Sequence, residues 1–115
     1  MNQSEIKRAR SASLLKELIP EALGNLNDKV LKEITITDVV VKKGKYDANV
    51  YIDPSIYSDE EKKIILKKLK KAAPVLENFC LETSGWFRCP KFHFKFDESI
   101  EKSKRLEELF KKIKE

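Results

Sequence analysis

Between Glu33 and Asp53 the apolar residues change from a spacing of three or four positions to a spacing of two. That switch constrains the fold more than any other feature. Glu33-Ile-Thr-Ile-Thr-Asp-Val-Val-Val41 is rich in β-branched residues, and Tyr46, Ala48, Val50 and Ile52 alternate with polar neighbours. Such side chains suit a pleated, half-buried surface, so the segment predicts two strands. The short Lys42-Lys43-Gly44-Lys45 connection predicts a hairpin and hence antiparallel pairing. Ile34 and Ile36 share one parity while Val39 and Val41 share the other, which predicts a bulge at Asp38.

On both sides of this segment the period is helical. Leu15, Leu18, Ile19, Ala22, Leu23 and Leu26 predict an amphipathic helix over 14–26, bent at Pro20 and stopped by Gly24 with Asn25, Asn27 and Asp28. Lys7, Arg8 and Arg10 precede it in an N-terminal extension. After Asp53-Pro54, Ser58 and Glu61 read as an S-x-x-E capping box before the stripe Ile65, Leu69, Ala72, Leu76 and Phe79. Pro74 lacks an N–H and disfavours helical geometry at Ala73, which predicts two helices joined by a sharp kink at Ala72-Ala73-Pro74. Gly85 ends the second piece. Lys91 to Asp97 predicts a third strand, with Phe92, Phe94 and Phe96 toward the core. Leu106, Leu109, Phe110 and Ile113 predict a last helix, before which Asp97 and Ser99 read as N-cap residues. The expected class is α+β, with helices over one apolar face of the sheet and the other face open. A single domain is expected over residues 1–115, with about 1–5 and 111–115 frayed at the ends.

Charge and composition narrow the function. With 24 Lys and Arg against 19 Asp and Glu the net charge is +5, while 41% of the residues are hydrophobic, the balance of a folded basic protein. No apolar run approaches the roughly 18 residues of a membrane span, and Met1-Asn2-Gln3-Ser4-Glu5 leads into charges rather than a signal-peptide core, so the expected location is cytoplasmic. Cys80 and Cys89 form no CxxC pair and read as reduced thiols. His93 is the single histidine and no nucleophile motif adjoins it, so the chain reads as non-enzymatic. Cys80, Cys89, His93 and Asp97 lack metal-ligand spacing, and no metal or cofactor is expected.

Lys62, Lys63, Lys67, Lys68, Lys70 and Lys71 crowd the helix before the kink, and Arg88, Lys91 and Lys95 lie beyond it. Lysines along a ridge facing phosphates give salt-dependent, mostly sequence-independent affinity; a solvated helix face is the other reading. A helix restarting after Pro74 would offer unpaired N–H groups at Val75, Leu76 and Glu77 to an anion, or the bend serves packing and Glu77 occupies the dipole end. The RNA-contacting set expected from the charge pattern is Arg8, Arg10, Lys67, Lys68, Lys70, Lys71, Arg88, Lys91 and Lys95, with the kink Ala72, Ala73 and Pro74. A four-stranded RNA-recognition module is disfavoured, because Asp47, Asn49, Asp53 and His93 fill the open sheet face and Tyr51 is its one obvious platform.

The order helix-strand-strand-helix-kink-helix-strand, plus a C-terminal helix, resembles a type II KH domain, yet Gly24, Gly44 and Gly85 are the only glycines and no GxxG loop exists. The chain is similar to bacterial ribosome-binding factor A at several points. Thr35-Ile-Thr-Asp-Val39 resembles that family's first-strand signature. Ala72-Ala73 falls at its alanine-centred kink, with Pro74 in place of the glycine. Pro90-Lys-Phe-His-Phe-Lys-Phe-Asp-Glu-Ser-Ile100 resembles its P-x-L-x-F-x-x-D-x-S-I segment, with Arg88 close to the arginine expected before that proline. The likeness spans about residues 6–110. It implies a non-enzymatic, monomeric assembly factor that binds the immature small (30S) ribosomal subunit and its 16S rRNA, assists late maturation and processing, supports growth in the cold, and is released with the help of an assembly GTPase. The alternative is a general RNA-binding KH-like module or a resident small-subunit ribosomal protein.

Overall fold

The computed structural model describes residues 3–42 and 46–98. Its elements are α1 (Gln3–Gly24), α2 (Lys29–Lys32), β1 (Ile36–Val41), β2 (Asp47–Ile52), α3 (Asp59–Ser84) and β3 (Lys91–Phe96). The three strands form one sheet in the order β1-β2-β3, antiparallel between β1 and β2 and parallel between β2 and β3. A parallel neighbour needs a crossover, and α3 supplies it. This is an α+β fold of the type II KH-like kind. The hairpin residues 43–45 and the expected last helix, with Leu106, Leu109, Phe110 and Ile113, lie outside the described residues.

The bulge falls where the parity of the valines requires it. Ile36 pairs with Ile52 but Asp38 pairs with Tyr51, so the extra residue on β1 lets Ile36 and Val39 turn to the same face. Asp38 accepts the Val39 N–H at 2.9 Å beside the irregularity. Val39, Val41, Ala48, Val50 and Ile52 are then buried together under α1 and α3, where they meet Leu15, Ile19, Leu23, Ile65, Leu69, Leu76 and Cys80. On β3 the three phenylalanines share one face, yet Phe92 alone is buried; Phe94 and Phe96 pack half-exposed at the margin because β3 is an edge strand.

Three helical expectations are corrected. The first helix begins at Gln3, not near Leu14, so Lys7, Arg8 and Arg10 are helical; Ala12 and Leu14 extend its packing on the core. A four-residue α2 follows it, unforeseen, with Asp28 accepting the Val30 and Leu31 N–H groups at 2.9 and 3.3 Å and Leu31 buried. Finally, the two helices expected around Pro74 are one unbroken helix. Pro74 and Pro20 both lie on the exposed side of their helices, as do Lys70 and Lys16 four residues earlier. The carbonyls that each proline strips of a partner are therefore on the water side, where a helix wrapped around a core already tilts them outward. Ala73, Leu76 and Cys80 continue the stripe of Ile65 and Leu69 in phase, and that packing carries α3 through the proline.

The ends of α3 follow local rules. Ser58 Oγ accepts the Glu61 N–H and Glu61 Oε1 accepts the Ser58 N–H, both at 3.2 Å, completing the capping box. Gly85 closes the helix at φ +72°, left-handed backbone that glycine adopts without strain, and its N–H donates to the Leu81 carbonyl at 3.2 Å.

Candidate nucleic-acid interface

Opposite the buried stripe of α3, Lys63, Lys67, Lys70 and Lys71 recur at helical spacing and all are exposed. They form a ridge with no aromatic side chain among them. Lys68 lies off it: its Nζ pairs with Asp28 Oδ2 at 3.0 Å and fastens α3 to the cap of α2. The Lys68 hydrogen bond holds the Asp28 carboxyl below the ordinary 3.8, partial desolvation opposes the shift, and the Leu31 and Val30 amides add to it. Lys62 is half-buried, with its ammonium 5.8 Å from the centre of the Phe96 ring.

Beside the ridge an open groove runs between α3 and the outer edge of β3. Leu66, Lys70 and Ala73 line it from the helix, and Phe92, His93, Phe94 and Lys95 from the strand. Toward the start of α3 a wider hollow brings Lys62 and Lys63 to Lys95 and Phe96. The N–H groups of Lys91 and Asp97 donate inward to Tyr46 and Ile52 at 2.9 and 2.7 Å, so those of Phe92, Phe94 and Phe96 point outward. Glu77 Oε2 accepts the first at 3.0 Å. Glu77 thus caps the strand edge, and no helix start exists at Val75–Glu77 to hold an anion because α3 is continuous.

The remaining expected residues lie elsewhere. Arg88 and Lys91 are at the start of β3, where the Arg88 guanidinium sits 4.6 Å from the centre of the Tyr46 ring. Asp47, opposite Lys91 in the sheet, meets His93 Nε2 at 2.7 Å. The His93 hydrogen bond is the main cause of the lowered Asp47 carboxyl; desolvation opposes it, and His93, Lys42 and Lys91 add charge attraction. Arg8 and Arg10 lie on the first turns of α1. The structure therefore gathers Lys67, Lys70 and Lys71 on one exposed helix face, brings Lys70 alone of these to Lys95 across the groove, sets Lys71 toward α2, and separates Arg88 and Lys91 from them along β3. Lys63, part of the basic run but outside the expected contact set, belongs to the ridge, and its four-residue spacing to Lys67 is the signal that places it on the same helical face.

Cys80 is buried, and burial, then the nearby Cys89, Glu21 and Glu77, push its thiol up to about 12. Burial and Glu77 push Cys89 up to about 11. Neither forms a thiolate nucleophile near neutral pH. Asp97 Oδ2 accepts the Thr37 hydroxyl at 2.9 Å, linking β1 to the end of β3; the helix it was expected to cap lies outside the described residues. Among the described residues no three His, Cys, Asp or Glu side chains cluster to hold a metal ion, and no helix is long and apolar enough to cross a membrane.

The profile of the ribosome-binding factor A family matches residues 7–110. The chain belongs to the ribosome-binding factor A family. The family's Campylobacter jejuni protein is 53% identical over 114 residues, covering 99% of this chain and 95% of that one. A solution structure of a Thermotoga maritima protein superposes with a TM-score of 0.69 at 28% identity, over 83% of this chain and 90% of that one. The Thermus thermophilus factor, fitted as a homology model into a cryo-EM map of its complex with the 30S subunit, gives a TM-score of 0.62 at 21% identity, over 76% and 91%. Membership of the family and the shared KH-like fold agree with the likeness read from the 35–39 and 90–100 segments.

Proposed function

We propose that this protein is a non-catalytic assembly factor that binds the immature small ribosomal subunit through its 16S rRNA, assists late maturation and processing of that RNA, and departs before translation. The observation that carries the reading is the exposed ridge Lys63-Lys67-Lys70-Lys71, mounted on one continuous helix in a chain of this family. The Thermus thermophilus relative, placed in a map of a 30S complex, supports the choice of partner.

The ridge meets rRNA phosphates, with Lys95 contributing from across the groove. Each neutralised phosphate releases condensed counterions, so four lysines give an affinity falling with roughly the third to fourth power of salt concentration. Reversible binding of that kind suits a factor that must leave. Arg88, Lys91, Arg8 and Arg10 form further contacts on the same partner, while Lys68 serves the ridge by holding α3 against α2. The whole chain acts as one monomeric KH-like unit in the cytoplasm, and an assembly GTPase promotes its release. Cooling stabilises mispaired RNA, which makes such a binder more necessary in the cold.

Sucrose-gradient profiling of a tagged protein in cell lysate, with precursor and mature 16S rRNA assayed in each fraction, tests this. The expected result is enrichment on small subunits carrying precursor RNA and depletion from translating ribosomes. Stoichiometric presence in translating ribosomes would instead identify a resident ribosomal protein, and absence from every ribosomal fraction a general RNA-binding module.

A further inference from the structure

Away from the lysine ridge, at the start of β2 and β3, the surface changes character. Phe87 is fully exposed, at 104% of its reference area, and Tyr46 is 58% exposed. A single exposed aromatic is ordinary. Here Arg88 joins the two: it lies 4.6 Å over the Tyr46 ring and lines, with Phe87, Trp86 and Ser11, a small pocket closed by Val41 and Pro90. Lys42 and Lys91 flank the cluster, and the carboxylate between them, Asp47, is occupied by His93.

We propose that Tyr46, Phe87 and Arg88 are a stacking platform for unpaired RNA bases, distinct from the ridge that holds phosphates. This deepens the ribosomal reading above and rests on it for the source of the RNA. The chemistry selects a single strand. Aromatic rings and a guanidinium plane stack on the faces of bases, which a duplex hides within its own stack, and cations at the border suit the backbone of the same strand. The ridge offers charge alone and takes either form of RNA.

Trp86 lines the pocket and is the only tryptophan of the chain, so its fluorescence reports occupancy directly. The full-length protein is titrated with a single-stranded oligoadenylate of about eight nucleotides, within the site size of small single-strand modules, and with a duplex RNA of equal length. The single strand is expected to quench Trp86 and the duplex not. Phe87→Ala is expected to weaken the single strand about tenfold, and Arg88→Lys several-fold with its charge retained. Both side chains are exposed, and circular dichroism checks that the variants fold. Unchanged affinity in both variants, or equal quenching by the duplex, would overturn the platform. If the wild type binds purified small subunits yet the oligonucleotide neither binds nor quenches, the platform is overturned, the ribosomal reading stands, and the cluster is a contact for protein. If the oligonucleotide quenches in a Phe87-dependent way but small subunits do not bind, the platform is supported and the ribosomal reading fails.

Discussion

The ridge on α3 and the cluster around Arg88 are both basic, but they are built differently. The lysines of the ridge stand on a helix whose opposite face is the core, so their positions are inherited from Ile65, Leu69 and Leu76 beneath them. The Tyr46–Phe87–Arg88 cluster stands on a strand start and a short loop; within it Arg88 is placed by its contact with the Tyr46 ring, while Phe87 is fully exposed. One surface is charge placed by packing; the other is aromatic shape around a guanidinium. Position in the first is a matter of stability, and in the second of local contact.

Substitution in the core separates the two most strongly. Leu69→Ala, directly under the ridge, is expected to cost about 2–5 kcal/mol in denaturant unfolding, while Phe87→Ala stays within about 0.5 kcal/mol of wild type. A comparable loss from Phe87→Ala would mean that the cluster is structural. Next, replacing Lys63, Lys67, Lys70 and Lys71 together by Gln is expected to weaken small-subunit binding on the order of a hundredfold near physiological salt and to flatten the salt dependence by about three to four units of slope. Arg88→Lys should leave that slope alone; a change there would blur the distinction. Ser58→Ala removes the cap that begins the ridge helix and should cost about 1 kcal/mol in thermal unfolding, with no effect on Trp86 quenching.

The smallest effects lie at acid pH, where each surface has its own carboxylate. Asp28, paired with Lys68 to the side of the ridge, and Asp47 beside the cluster are both held below 3.8. A carboxylate with a depressed folded-state pKa contributes stability that is present above its unfolded value and lost as pH falls through the lowered one. Asp28→Asn and Asp47→Asn should each therefore make stability less dependent on pH below about 4, measured by urea unfolding at stepped pH. An unaltered acid limb in both variants would show that neither pair matters to folding.

How much of this could be read in the sequence follows from the range of the interactions. The bulge at Asp38, the capping box at Ser58, the glycine stop at Gly85 and the phenylalanine alternation of β3 are local, and each appears where its residues predict it. The first turns of α1 lack apolar periodicity, so only packing through Ala12 and Leu14 reveals them. Pro74 misleads because its local rule is right and its context decides: on the water side of a well-packed helix the lost bond breaks nothing. The site divides in the same way. Lysine density was legible, whereas the diversion of Lys68 to Asp28 and the meeting of Arg88 with Tyr46 are long-range contacts that no spacing encodes.

The most direct test of the account is the binding of the purified protein to small subunits carrying precursor 16S rRNA, compared with mature subunits, across a salt series. Tighter binding to the precursor particles, with a log-log salt slope of roughly −3 or steeper that the four-lysine replacement largely abolishes, is the predicted result. Equal affinity for both particles, or a slope unaffected by loss of the ridge, would contradict it.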